Sequence, residues 1–143
     1  MAKLNRDFAT VVPHNKALGL ELVELDDGVA SMRLPYDVRF AGHAAIGVLH
    51  GGVISTLIDA CCGAAVIMKM VKPVPIATLD LRIDYLKPAK PGLDVIARME
   101  CYKVTRNVAF VRGFAFHDDA DDPIAAAAGS FMISTKSYWK KLS

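Results

Sequence analysis

The chain has 143 residues, of which 53% are hydrophobic and 22% charged, and its formal net charge is +2 at pH 7. These values describe one folded domain with a true core and exclude a disordered chain. No Lys/Arg block is present, which argues against a nucleic-acid binder. The three cysteines, Cys61, Cys62 and Cys101, are odd in number, and none sits in a CxxC spacing. They make neither a disulfide framework nor a zinc site, so no metal is expected, and they read as apolar core residues suited to a reducing cytoplasm.

The expected domain covers residues 1–143, with 1–15 as a peripheral N-terminal segment. The first eight residues lack the apolar stretch of a signal peptide, which predicts a cytoplasmic protein. Leu18 to Leu34 reads as two strands around the turn Asp26-Asp27-Gly28. Tyr36 to Val48 has little periodicity and reads as a loop.

Next comes the clearest element. Ile54, Leu57, Ile58, Cys61, Cys62, Ala65 and Val66 recur at helical spacing and form one apolar stripe. Ser55, Asp59 and Gly63 form a second, small and polar stripe, with Thr56 beside it. Pro73 and Pro75 are expected to end the helix. Val48 to Val71 is apolar enough to suggest a membrane span, but an ionised Asp59 near its middle would be costly in lipid. The segment reads instead as a buried helix, and no membrane partner is expected.

The period then changes from 3.6 to 2. Ala77, Leu79, Leu81, Ile83 and Tyr85 alternate with Thr78, Asp80, Arg82 and Asp84, which predicts a half-buried strand with Thr78 on its polar face. Further strands are expected over Leu93 to Cys101, Val108 to Phe116 and Ile124 to Ser134. Short turns between strands imply an antiparallel sheet. A single long helix with about six strands is an α+β arrangement, in which a curved sheet wraps the helix and leaves edges for oligomerisation.

Chemistry concentrates at His50-Gly51-Gly52 and Asp59. Free N–H groups and the helix dipole favour negative charge where the loop becomes helix, and glycine permits close approach of a carbonyl. That arrangement suits oxyanion stabilisation in acyl transfer. Asp59 lies about 11 Å further along the helix, at 1.5 Å per residue, so it cannot reach a carbonyl held at its own helix's start. A second subunit with its helix antiparallel would bring a partner Asp59 close. A carboxylate amid so much apolar helix needs a partner or a purpose.

His-Gly-Gly followed by Asp nine residues after the His resembles the phenylacetate-degradation-type acyl-CoA thioesterases of the hotdog superfamily. The resemblance extends to Val12-Pro13-His14-Asn15, Leu18-Gly19, Thr78-Leu79-Asp80 and the run from Tyr85 to Gly92. It implies a hotdog fold and thioester hydrolysis at a subunit interface, in a dimer or a dimer of dimers (a homotetramer). It implies an oxyanion-site Gly51, a catalytic Asp59 acting as general base or nucleophile, and a helper hydroxyl at Thr78. His50 would shape the loop. No cofactor is implied beyond the coenzyme A carried by the substrate. Lys87, Lys90 and Arg106 are candidates for the CoA phosphates, and Gly52, Phe40 and Leu57 for the substrate pocket. The family commonly has Asn or Gln six residues before the motif His, where this chain has Ala44. That departure allows slower turnover, another water-holding group such as His43, or loss of activity. The rivals are a non-catalytic acyl-CoA-binding hotdog protein and an acyl-thioester hydratase. The hydratase lacks support, because the His expected five residues after its helical Asp is Ala64 here.

Overall fold

A computed structural model describes residues 11–72 and 74–134. A short helix, α1 (Pro13–Ala17), precedes the hairpin of β1 (Glu21–Asp26) and β2 (Val29–Leu34). A single 3-10 turn, Val38–Phe40, lies in the loop leading to the long helix α2 (Gly51–Lys69). Four strands follow: β3 (Ile76–Tyr85), β4 (Val95–Val104), β5 (Val108–Phe116) and β6 (Ala125–Ile133). Together with the hairpin they form one six-stranded sheet in the order β1-β2-β4-β5-β6-β3, and every neighbouring pair is antiparallel. The expected α+β architecture of a helix wrapped by an antiparallel sheet is therefore present.

The packing follows from side-chain size. The inner face of β5 carries Ala109, Val111, Gly113 and Ala115, while Phe110, Phe114 and Phe116 point the other way. In β6 the inner residues include Ala125 and Ala127. Small residues on the concave face let the helix approach closely, and Leu57, Ile58, Cys61, Cys62 and Ala65 are fully buried against the sheet. Helix α2 is long and apolar enough to cross a bilayer by length and composition, but its apolar stripe is the core of this sheet.

Several boundaries differ from the sequence reading. Pro13–Ala17 is helical and overlaps the end of the segment 1–15 read as peripheral, and Pro at its first position suits a helix start. Helix α2 ends at Lys69, before the prolines expected to stop it, with the Met70 N–H bonded to Ile67 O; Pro73 lies outside the described residues. Strand β4 starts at Val95 rather than Leu93, which is exposed, and runs on to Val104.

The largest correction concerns β3. Its register against β6 pairs Thr78 with Phe131 and Asp80 with Ser130, so Leu79 is an extra residue, a β-bulge. Leu79 is 56% exposed. The bulge changes the alternation phase, so Ile76 and Thr78 share the inner face with Leu81, Ile83 and Tyr85. Thr78 is therefore not on the strand's polar face. A similar bulge at Val23 explains why Leu20, Leu22 and Leu25 are unevenly spaced yet all point toward the core.

Candidate active site

Helix α2 begins where its sequence says it should. His50 is the N-cap, with extended backbone (ψ 135°), and its Nδ1 accepts the Gly52 N–H at 2.9 Å. One of the helix's orphan donors is thereby satisfied. The Val53 N–H is bonded to His50 O. The Gly51 N–H makes no hydrogen bond within the described residues. Of the three residues His50, Gly51 and Gly52, then, one caps, one is capped, and Gly51 keeps a free donor at the positive end of the helix dipole.

Asp59 lies two turns further along, on the stripe of α2 that turns away from the core. The bulged β3 brings Thr78 against it, and Thr78 Oγ1 donates to Asp59 Oδ1 at 2.8 Å. The pair opens into a groove of about 560 Å³ between α1, α2 and β3, lined also by Ser55, Gly63 and Ile76. One carboxylate oxygen is thus oriented by a hydroxyl, while the groove leaves space for a substrate or water. His14 from α1 reaches the same groove, with its Nε2 3.4 Å from Thr56 Oγ1.

A second groove, of about 430 Å³, lies at the start of α2 between Gly51, Leu49, Tyr85 and Lys87. Tyr85 was not singled out as a site residue from the sequence. Its hydroxyl donates to Gly51 O at 2.8 Å and lies 2.8 Å from Ser55 Oγ. An aromatic with a polar tip at the end of β3's inner face was the signal available for it.

The remaining candidates scatter. Leu57 has no exposed surface and packs in the core rather than in either groove, because it lies on the sheet-facing stripe of α2. Phe40 packs at the core's margin with the Arg39 guanidinium over its ring, and it lines neither groove. Lys87 lines the second groove and is ion-paired with Asp122. Lys90 is exposed, with its backbone N–H bonded to His117 Nε2. Arg106 precedes β5 while His117 follows it, so Arg106 is separated from the lysines by roughly 30 Å, the length of that strand. Within one chain these three bases do not form a cluster. Ala44 is exposed in the loop before α2, as is His43.

Fold and groove together define a hotdog protein with a carboxylate-bearing cleft, and comparisons with known proteins agree on the fold. A family model described as the thioesterase superfamily matches residues 46–124. An inferred esterase of Halobacterium salinarum is 35% identical over 122 residues, 81% of each chain. The medium/long-chain acyl-CoA thioesterase YigI of Escherichia coli is 27% identical over 139 residues, with 88% of each chain covered. A crystal structure of a Pseudomonas aeruginosa protein is 41% identical with a TM-score of 0.80, covering 92% of this chain and 98% of that one. The Escherichia coli protein PaaI, from the phenylacetic acid degradation operon, is 17% identical but shares the fold over 94% of both chains, with a TM-score of 0.81. The chain belongs to the thioesterase superfamily, as a hotdog-fold thioester hydrolase.

Proposed function

We propose that this protein is an acyl-CoA thioesterase that works as a homo-oligomer, with each site built from two subunits. The observation that carries this reading is the separation of two complementary groups on one helix. The Thr78-oriented carboxylate of Asp59 faces an open groove. The free Gly51 N–H sits about 12 Å away along the axis, at 1.5 Å per residue. No thioester carbonyl can meet both within one chain. Among the described residues, strand β3 is an edge of the sheet, paired only with β6, and it borders the groove. Antiparallel pairing of two such edges about a two-fold axis would set the two α2 helices side by side and antiparallel. Asp59 of one subunit would then face Gly51 of the other.

In this site the thioester carbonyl oxygen accepts the Gly51 N–H, supported by the helix dipole. Asp59 takes a proton from water as the water oxygen bonds to the carbonyl carbon. Collapse of the tetrahedral oxyanion breaks the C–S bond, and a proton passes to the departing thiolate, leaving a free acid and coenzyme A. The nucleophilic alternative has Asp59 Oδ attack the carbon, expel the thiolate and form an anhydride that water then opens. Thr78 holds Asp59 in place in either route, and His50 acts through the helix cap. Lys87 and Lys90 lie at the Gly51 end of the molecule and are the bases proposed to meet the CoA phosphates. No cofactor beyond the CoA moiety and no membrane partner is invoked, and a cytoplasmic setting is proposed from the free cysteines. The acyl-CoA substrate class is supported by the name of YigI, a medium/long-chain acyl-CoA thioesterase.

The test is thiol release from short, long and aromatic acyl-CoAs, with Asp59→Asn in parallel. Asparagine keeps the shape and can still accept from Thr78, so the variant folds. Its kcat is expected to fall by about 10²–10⁴-fold, the usual contribution of a general base. Equal kcat in the variant would remove Asp59 from the mechanism. Saturable binding without turnover, in wild-type protein, would favour the acyl-CoA-binding reading that Ala44 keeps open.

A further inference from the structure

A donor assists catalysis most when it is aimed before the reaction starts. A Gly-Gly pair is poorly suited to that, because glycine restricts its own backbone least. Here the peptide joining Gly51 and Gly52 is held from outside at both ends. Its carbonyl oxygen accepts from the Tyr85 hydroxyl at 2.8 Å. Its N–H donates to His50 Nδ1 at 2.9 Å. The Ser55 hydroxyl braces the same corner, 2.8 Å from the phenol oxygen and 3.1 Å from Gly51 O. A Cβ at Gly51 would lie 3.3 Å from the phenol oxygen, so the ring stands over this residue. The His50–Gly51 peptide, which carries the free N–H, is held in turn by the Val53 N–H on His50 O at 3.0 Å, so with the planes on both sides of the Gly51 Cα fixed, the Gly51 N–H has a defined direction.

Tyr85 is not needed here as core. It is 50% exposed and stands outside the buried cluster. It lines the second groove beside Gly51 and Lys87. We propose that Tyr85 is a positioning residue for thioester hydrolysis, whose hydroxyl orients the Gly51–Gly52 peptide and so aims the Gly51 N–H at the developing oxyanion. This role rests on the reading of Gly51 given above.

Tyr85→Phe keeps the ring and removes the hydroxyl. Its kcat is expected to fall about tenfold, the worth of one neutral hydrogen bond, with KM within about twofold of wild type. Melting temperature and oligomeric state should stay close to wild type. Tyr85→Phe combined with Ser55→Ala should lower kcat further, because the second brace is also lost. A merely structural Tyr85 would instead lower the melting temperature and leave kcat per folded site unchanged. Wild-type kcat in Tyr85→Phe overturns the proposal, whatever the double variant shows.

Gly51→Pro separates this claim from the one beneath it. The first helical position accepts proline, and His50 already has the extended backbone that precedes one. The substitution removes the N–H, and Gly51→Ala, which adds the same Cβ but keeps the donor, controls for contact with Tyr85. An inactive Gly51→Pro, an active Gly51→Ala and an unaffected Tyr85→Phe would reject Tyr85 alone. A fully active Gly51→Pro would reject the Gly51 reading itself.

Discussion

Thr78 and Asp59 come from different elements, and one hydrogen bond joins them. The bond fixes which carboxylate oxygen faces the groove, so its loss should be felt in turnover more than in folding. Thr78→Val removes the donor while keeping the shape, and kcat is expected to drop about five- to tenfold, as for one modest hydrogen bond. Thr78→Ser should retain most of the activity. Steady-state kinetics on the two variants checks this, and equal kcat for Val and wild type would contradict it. The cysteines offer a second test at this scale. Burial pushes the Cys61 thiol up to about 12. Burial also pushes Cys62 up strongly, with neighbouring Cys61 and Asp59 adding to it, and it raises Cys101. A raised thiol pKa means the protonated form persists at neutral and mildly alkaline pH, and only the thiolate is reactive. Iodoacetamide at pH 8 should therefore leave the native enzyme active and label these cysteines only after unfolding. Rapid inactivation with stoichiometric labelling would contradict this.

Among the elements, β5 lies against β4 at Gly113 with no room for a side chain. A Cβ at Gly113 would come within 2.0 Å of Arg98 O and 2.6 Å of Met99 Sδ, and the first of these is backbone. Gly113→Ala should therefore destabilise the fold by about 1–3 kcal/mol, lowering the melting temperature by several degrees. A melting curve unchanged from wild type would contradict the packing described. Periodicity made α2 and the four later strands legible, because burial on one face leaves a regular pattern. It did not reveal α1, whose five residues are too few to show a helical period. It also put Thr78 on the wrong face. A bulge adds one residue without disturbing the composition, so Ala77 to Tyr85 reads as unbroken alternation while the chain inverts at Leu79. The site was read in parts: Asp59 stood out as a carboxylate on an apolar helix, and Gly51 as the start of that helix. Tyr85 stayed hidden because its role depends on where the end of β3 meets the first turn of α2, a contact between residues 34 positions apart. Leu57 was named for the substrate pocket although it lies on the apolar stripe of the helix, and the structure places it with that stripe in the core, with no exposed surface.

For the whole molecule, the organising fact is the edge. Among the described residues, strand β3 leaves one side of its backbone unpaired next to a groove that holds the carboxylate, and the free N–H lies two turns of helix away. An enzyme assembled from two copies resolves both features at once, with each subunit supplying a carboxylate to one site and a donor to the other. The measurement that tests this most directly is complementation between two inactive variants. Asp59→Asn and Gly51→Pro are co-expressed with different tags, and the mixed dimer is purified and assayed for thiol release. One of its two sites combines an intact Asp59 from one subunit with an intact Gly51 from the other, so about half of the wild-type activity per dimer is expected. A mixed dimer as inactive as its parents would contradict a site shared between subunits.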